Sequence, residues 1–213
     1  MLKANKKTII ITSLVILMPA VAGLMLWDRL PDPMATHFGM SGEADGFSSK
    51  AFGVFGLPLI LLGVHLLCIV ATCYDPRRQN ISPKLFSLVL WVTPLISAIA
   101  SAMVYAANLG YKTNSQLYAG LIIGFVFVIV GNYLPKTRQN YTIGIKLPWT
   151  LANEENWNKT HRLAGALWVA AGAIILAAAL SGHLRFDLMF ALIIAATIIP
   201  SGYSFMLHAR KGL

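Results

Sequence analysis

The stretch GVFGLPLILLGVHLLCIVATCY, residues 53–74, decides the fold class of this chain. It is apolar almost throughout, contains one imidazole at His65, and is long enough to cross a bilayer as a helix, which takes about 20 residues. It lacks the alternation of polar and apolar residues that is typical of a membrane-spanning strand. Because backbone groups in lipid must be satisfied within the segment, the stretch predicts a transmembrane helix.

Five further apolar runs have the same character, and the composition agrees with them. Of the 213 residues, 57% are hydrophobic and only 12% are charged, whereas soluble domains carry about 25% charged residues. We therefore predict an all-α integral membrane protein built as a bundle of six transmembrane helices. The predicted spans are residues 8–27, 53–74, 85–107, 117–134, 163–181 and 188–207.

The first run could also be a cleaved signal peptide, because lysines precede it and the small residues 20–22 resemble a cleavage site. The run continues through Trp27, which is long enough to span a bilayer, so we expect this helix to be retained.

Basic residues are distributed unequally among the connecting segments. If the N-terminus lies inside, only Arg29, Lys50, Lys112 and Arg185, of 17 lysines and arginines, fall in outside segments. The positive-inside rule therefore predicts that both termini are cytoplasmic. The outer loop, residues 28–52, is then extracytoplasmic, and the inner loop, residues 135–162, is cytoplasmic. The net charge of +9 follows from this sorting toward anionic lipid and does not indicate nucleic-acid binding.

The outer loop contains a polar island, THFGMSGEADGFSSK, residues 36–50, whose glycines permit tight turns. His37, Glu43 and Asp45 could supply metal ligands, but their spacing matches neither a zinc site nor an EF-hand loop. We predict a turn-rich lid without a metal, followed by a helix that Ser48 or Ser49 caps.

The inner loop contains NYTIGIKLPWTLANEENWNKTHR, residues 140–162. Thr150 is a suitable N-cap for a short helix that begins at Leu151, and Trp149 and Trp157 are residues that suit the headgroup level. We predict a short interfacial helix on the cytoplasmic side that leads into the fifth span.

Acid–base chemistry is a weaker interpretation of the same loop. Glu154 and His161 share a helix face but lie about 10 Å apart along the axis. No HExxH motif occurs, and the weak resemblance of EENWNK to the EExxxR motif of intramembrane prenyl-protein proteases has Lys159 in place of the arginine. We therefore predict that the chain has no catalytic residues and is not an enzyme.

Two other features lie at membrane depth. His65 has no acidic residue at comparable depth to form a proton path, so we expect its imidazole to hydrogen-bond to a neighbouring helix, although an ionisable residue there is a candidate functional site. Cys68 and Cys73 lie five residues apart and face different directions, which favours structural thiols over a disulfide or a metal site.

Together, the two loops resemble the SdpI family of bacterial multipass membrane proteins. The outer loop resembles the family's N-terminal domain of unknown function through Leu30, Pro31, Thr36, His37, Phe38, Gly39, Gly42, Asp45, Ser49 and Lys50. The inner part resembles the C-terminal signature through Asn132, Tyr133, Pro135, Lys136, Asn140, Gly144, Ile145, Lys146, Pro148, Trp149, Thr150, Leu151, Glu155, Trp157, Thr160, His161 and Arg162.

The resemblance implies an N-terminal domain at 1–74, an SdpI-like domain at 75–213, and a role in the bacterial cell membrane. That role is immunity against a secreted antimicrobial peptide toxin, together with a receptor function that holds a cytosolic transcriptional repressor at the membrane. Membrane lipids are further partners, and no cofactor is implied. The alternatives are a membrane enzyme or small-solute transporter with His37, His65, Glu154 or His161 in a polar cavity, and a structural protein without a ligand.

The candidate site residues follow from both lines of reasoning. In the outer loop they are Thr36, His37, Phe38, Gly39, Gly42, Glu43, Asp45 and Lys50. In the inner loop they are Asn140, Gly144, Lys146, Pro148, Trp149, Glu154, Glu155, Trp157, Thr160, His161 and Arg162.

Overall fold

The structure, a computed structural model, describes residues 1–39 and 42–211. Met40 and Ser41 of the outer loop, and the last two residues of the predicted cytoplasmic C-terminus, lie outside the described residues. Six helices in the described part are long and apolar enough to cross a membrane, which confirms the predicted fold class. They are α1 (Leu2–Met25), α2 (Leu57–Cys73) together with the π-helical segment before it (Phe52–Gly56), α3 (Pro83–Asn108), α4 (Ser115–Tyr133), α6 (Glu154–Leu180) and α7 (Phe186–Lys211).

Shorter elements connect these helices. The outer loop forms a hairpin of two antiparallel strands, β1 (Met34–Phe38) and β2 (Ala44–Ser48), and a π-helical segment (Phe52–Gly56) leads into α2. A short helix α5 (Pro148–Ala152) precedes α6, and a 3₁₀ turn (Leu134–Lys136) follows α4. The predicted orientation of these elements across the membrane stays a prediction.

The spanning helices keep large apolar side chains on their outer faces. On α1, Ile10, Leu14 and Met18 are each about half exposed or more, and their spacing of four residues places them on one face of the helix. Such a stripe is unfavourable in water and is expected where lipid is the solvent.

The chain forms two compact units. The first unit contains residues 1–69 and 89–122, and the second contains residues 70–88 and 123–213. Helices α2, α3 and α4 each contribute residues to both units. The division at residue 74, which rests on the family resemblance, stays a prediction.

In the first unit, α3 is joined to α1 by hydrogen bonds from polar side chains to backbone carbonyls. Ser97 Oγ donates to Ile16 O at 3.1 Å, and Tyr105 Oη donates to Pro19 O at 2.6 Å. A core cluster of Leu30, Met34, Val54, Val104 and Tyr105 lies beneath the hairpin. These contacts fix the end of α3 against which the hairpin docks.

In the second unit, α4 and α6 pack closely because glycines face each other. A Cβ on Gly165 would lie 2.8 Å from Gly131 O and 2.5 Å from Pro135 Cγ, distances that only a glycine permits. Phe127 stacks on Trp168 with ring centroids 4.4 Å apart. Small residues therefore allow the close approach of backbones that holds helices together in lipid.

The start of α6 differs from the sequence prediction. A helix that begins at Leu151 with Thr150 as its N-cap is wrong, because the structure has α5 from Pro148 and a separate α6. Asn153 caps α6, and its side chain accepts a hydrogen bond from Asn156 N at 2.9 Å. Proline is favoured at the first helical position, and asparagine is a stronger N-cap than threonine. The short helix is thus α5, and residues 154–162 begin the fifth span itself.

The close packing of α4 and α6 leads to a prediction with a matched control. We expect Gly165→Ala to lower the free energy of unfolding by about 1–3 kcal/mol, because the added methyl group overpacks the contact. Gly202→Ala in α7, where a Cβ meets nothing within 4 Å, should raise it by up to about 1 kcal/mol through helix propensity. Unfolding in mixed micelles measures both, and stabilisation by both substitutions would contradict the packing.

Candidate functional site

The hairpin of the outer loop (residues 34–48) is anchored in the first unit through its first strand. The side chain of Asn108 pairs with the backbone of Ala35 in both directions: Ala35 N donates to Asn108 Oδ1, and Asn108 Nδ2 donates to Ala35 O, each at 2.8 Å. Met34 is fully buried, directly against Gly53. The amide of Asn108 therefore completes the hydrogen bonding of β1 as a neighbouring strand would.

The second half of the outer loop is held by Lys50. Its ammonium group donates to Trp27 O at 3.1 Å and lies 5.4 Å from the centre of the Trp27 ring, and its backbone N–H donates to Asp32 Oδ1. Ser49 Oγ accepts a hydrogen bond from Phe52 N at 3.3 Å, so the predicted serine cap is present. Lys50 thus fixes the base of the loop.

The outward face of the hairpin carries His37, Asp45 and Phe47. His37 Nδ1 lies 2.5 Å from Asp45 Oδ1, and the two side chains are 75% and 54% exposed. Phe47 is 61% exposed. A Cβ on Gly46 would lie 2.7 Å from His37 Cβ, so glycine is required opposite the histidine. The exposed face of the hairpin therefore combines an imidazole, a carboxylate and an aromatic ring.

The other outer-loop candidates shape or support the hairpin. Phe38 packs against the core cluster, and Thr36 Oγ1 pairs with Ser48 Oγ at 2.9 Å. Gly42 has a φ of +89°, and Gly39 N donates to Glu43 O at 2.9 Å, which closes the turn. Over residues 1–39 and 42–211, no three His, Cys, Asp or Glu side chains come together as a metal site.

In the second unit, the inner loop folds around a buried carboxylate. Asp75 is 2% exposed and follows α2. Its Oδ1 accepts from Arg77 N at 2.7 Å, while its Oδ2 accepts from Tyr141 N at 2.8 Å and from Thr142 Oγ1 at 2.5 Å. Hydrogen bonds to a carboxylate are stronger than neutral ones, so Asp75 fastens the inner loop to the end of α2.

Asn140, which is fully buried, shapes the turn of the inner loop. Its Oδ1 accepts from Thr142 N at 2.9 Å and from Ile143 N at 2.6 Å, and its Nδ2 donates to Arg138 O at 2.8 Å. The predicted site residue Asn140 therefore satisfies backbone groups of its own loop.

His161 and Trp157, on the first turns of α6, hold the next part of the inner loop. His161 Nε2 accepts from Ile145 N, which requires the neutral tautomer with the proton on Nδ1, and Nδ1 donates to Trp157 O; both distances are 2.8 Å. The two rings stack 3.9 Å apart, and Trp157 Nε1 donates to Thr137 O at 2.9 Å. Gly144 has a φ of +124° and passes so close that a Cβ would collide with His161 Nε2.

A second set of polar contacts joins α5, α6 and α7. Trp149 Nε1 donates to Ser204 Oγ at 2.9 Å, and Ser204 Oγ donates to Asn156 Oδ1 at 2.6 Å. Thr160 Oγ1 also donates to Asn156 Oδ1 at 3.0 Å, and the ring of Trp149 stacks on His208. These contacts hold α5 and α6 against α7.

The remaining inner-loop candidates lie at the surface. Glu154, Lys146 and Arg162 are exposed, and Lys159 Nζ pairs with Glu155 Oε1 at 2.5 Å. The pair that could have been an acid and a base is thus separated: Glu154 is exposed, while both ring nitrogens of His161 are engaged in the fold. Pro148 begins α5.

His65 lies fully buried in the first unit. Its Nε2 is 3.1 Å from Thr12 Oγ1 of α1, so the predicted hydrogen bond to a neighbouring helix is present. The Thr12 hydroxyl also lies 2.9 Å from Thr8 O of its own helix. His65 Nδ1 has no partner among the described residues.

We did not predict roles for Asp75, Gln139 and Ser204 from the sequence. Asp75 is the single acidic residue between Asp45 and Glu154, in segments that are otherwise basic, and that isolation was a usable signal. Gln139 accepts from Arg77 Nη1 at 3.0 Å and donates to Thr150 O at 2.8 Å. Nothing in the sequence pattern of α7 indicates the role of Ser204.

Comparisons with known proteins confirm the predicted resemblance to the SdpI family. Residues 136–204 match the SdpI/YfhL protein family, and residues 14–62 match a domain of unknown function, DUF1648. Immunity protein SdpI of Bacillus subtilis (strain 168) is 25% identical over 202 residues, which cover 94% of this chain and 96% of that protein. No solved structure matches the chain.

The buried carboxylate leads to a prediction about the inner loop. In Asp75→Asn, an NH₂ group replaces one acceptor oxygen and meets a donor, so we expect a loss of about 1.5–3 kcal/mol of stability. Hydrogen exchange should become faster at the backbone amides of Arg77 and Tyr141. The control, Asp187→Asn, alters an exposed carboxylate and should leave these amides unchanged. Unchanged exchange at Tyr141 in Asp75→Asn would contradict the assigned role of Asp75.

Proposed function

Because the chain belongs to the SdpI/YfhL family and is a multi-pass protein of the cell membrane, we propose that it is an immunity protein that protects its cell from a secreted antimicrobial peptide toxin. The observation that carries the proposal is its similarity to Immunity protein SdpI over nearly the whole length of both chains. The six helices that are long and apolar enough to cross a membrane are consistent with a protein that meets a secreted peptide at the cell surface.

The hairpin of the outer loop is the proposed contact for the toxin. The predicted orientation places it outside the cell, where a secreted peptide arrives. Its exposed face combines an aromatic ring, Phe47, with the His37–Asp45 pair. Membrane-active peptides are amphipathic, and a surface with an aromatic anchor beside polar groups suits such a ligand. The anchoring by Asn108 keeps this surface in place before the ligand binds.

Expression in a sensitive strain tests the proposal. Wild-type protein should raise the toxin concentration that stops growth. His37→Ala or Phe47→Ala should reduce this protection roughly tenfold, because truncation of a central contact residue costs about 1.4 kcal/mol or more, and about 1.4 kcal/mol is a tenfold change in affinity. Neither side chain is buried, so membrane content and unfolding temperature should stay near those of the wild type.

The matched control is the second exposed ion pair of the outer segments, Arg185 with Asp187. Arg185→Ala and Asp187→Asn should leave protection intact. The immunity proposal would be contradicted if the wild-type protein protected against none of the secreted peptides tested. Equal losses in the hairpin and control variants would instead reject the hairpin as the contact.

We extend the proposal from immunity to a receptor function. The exposed residues Lys146, Glu154 and Arg162, together with the Glu155–Lys159 pair, offer a charged surface on the predicted cytoplasmic side. We propose that a cytosolic transcriptional repressor binds this surface when toxin is engaged outside. Such switching requires two states of the membrane protein that differ in affinity for the repressor.

Fractionation of cells tests the receptor function separately. A tagged repressor, expressed together with this protein, should move to the membrane fraction when toxin is added. The double variant Lys146→Ala, Arg162→Ala should weaken repressor binding roughly tenfold or more, because each contact is worth about 1 kcal/mol. Glu154→Ala should weaken it as well. A repressor that stays soluble while protection persists would reject the receptor function and leave immunity standing.

A further inference from the structure

An open cavity of about 360 Å³ lies in the second unit, between the start of α3 and the end of α4. Basic side chains line it on both sides: Lys84 comes from α3, and Lys136 and Arg138 come from the segment after α4. Ser82 and Tyr133 add hydroxyl groups to the lining. The signature resemblance does not account for a cavity, and the proposed toxin and repressor contacts do not include it.

The charge of the cavity is uncompensated. No lining residue is acidic, and in the described part of the chain no carboxylate pairs with Lys84, Lys136 or Arg138; the ion pairs found there involve other residues. Lys136 lies over the ring of Tyr133 at 5.2 Å and reaches Asn132 Oδ1 only at 3.5 Å. Three like charges around one cavity repel each other, and an anion that enters relieves the repulsion.

The walls of the cavity are tied together by hydrogen bonds behind it. Asn80 Nδ2 donates to Gln139 O at 2.7 Å, and Arg77 Nη1 donates to Gln139 Oε1 at 3.0 Å. Asn140 Nδ2 donates to Arg138 O at 2.8 Å. These bonds join residues 77–80 to residues 138–140, so the backbone on the two sides of the cavity is fixed before a ligand arrives and less ordering is needed on binding.

The position of the cavity indicates which anion it takes. Lys84 lies in the first turn of α3, and Tyr133 is the last residue of α4, and both helices are long and apolar enough to span the membrane. Ends of spanning helices lie at the level of the lipid headgroups, and basic pockets between such helices on the cytoplasmic side are typical headgroup sites. Leu85 supplies an apolar wall.

We propose that this cavity binds the phosphate-bearing headgroup of an anionic phospholipid. Lys84, Lys136 and Arg138 contact the phosphate oxygens, with the guanidinium of Arg138 suited to two oxygens at once. The inference does not depend on toxin immunity, since it rests on the charge, the walls and the place of the cavity in the second unit.

Native mass spectrometry of the full-length protein, purified in neutral detergent and stripped of lipid, tests the proposal. The probes are phosphatidylglycerol, phosphatidylcholine and inorganic phosphate. The wild-type protein should bind phosphatidylglycerol in preference to phosphatidylcholine. The double variant Lys84→Gln, Arg138→Gln should bind phosphatidylglycerol on the order of thirty-fold more weakly, because each basic residue near a charged headgroup is worth about a fivefold factor.

Two control variants make the test selective. Lys6→Gln with Lys7→Gln removes the same charge from exposed positions near the N-terminus and should leave the affinity within about twofold, because neither residue lines the cavity. Lys84→Arg with Arg138→Lys keeps the charge and should retain most of the binding. Equal losses in the cavity and N-terminal variants, or a charge-conserving variant as weak as the neutral one, would overturn the proposal. Inorganic phosphate that binds as tightly as phosphatidylglycerol would overturn the lipid assignment.

Discussion

The buried carboxylate of Asp75 is the contact on which the second unit depends. A charge removed from water is costly unless hydrogen bonds replace the lost solvation. Asp75 receives three, from the backbone of Arg77 and from the backbone of Tyr141 and the hydroxyl of Thr142 in the inner loop. The loop is thereby fixed to the end of α2, and the loop in turn places Ile145 against His161.

Two polar segments of similar appearance in the sequence are used in opposite ways. The hairpin of the outer loop turns His37, Asp45 and Phe47 outward, while the inner loop turns its signature side chains inward. Asn140, Trp157 and His161 are each buried and hydrogen-bonded to backbone groups. A family signature can therefore mark the shape of a loop instead of the surface that meets a partner.

The difference between exposed and buried signature residues indicates which of them can contact a partner. Residues that belong to the inner signature and are also exposed, such as Lys146 and Arg162, can contact a partner without disturbing the fold. Substitution of His161 removes an acceptor for a backbone amide and is expected to disturb the loop first. The basic cavity at residues 79–85 and 133–138 shares Tyr133 and Lys136 with the signature, but it does not include the buried residues Asn140, Trp157 and His161.

The sequence predicted the six spans well, since apolar length is a local property that a bilayer imposes directly. The hairpin was described only as a turn-rich lid, because its strands are short and β1 is completed by Asn108, which lies 73 residues away from Ala35 in the chain. The role of Asp75 was missed for the same reason: its partners Tyr141 and Thr142 follow 66 and 67 residues later. The predicted helix start at Leu151 was wrong because Thr150 and Asn153 are both suitable N-caps. Pro148 decides between them, since it begins the separate helix α5 and leaves Asn153 to cap α6.

We propose that the hairpin receives a toxin from outside while the inner loop keeps its own fold. Hydrogen exchange of the full-length protein in lipid nanodiscs, with and without the peptide against which it protects, tests this most directly. We expect slower exchange in residues 34–48 when the peptide is present. Slower exchange confined to residues 137–147, or none in the hairpin despite saturating peptide, would contradict it.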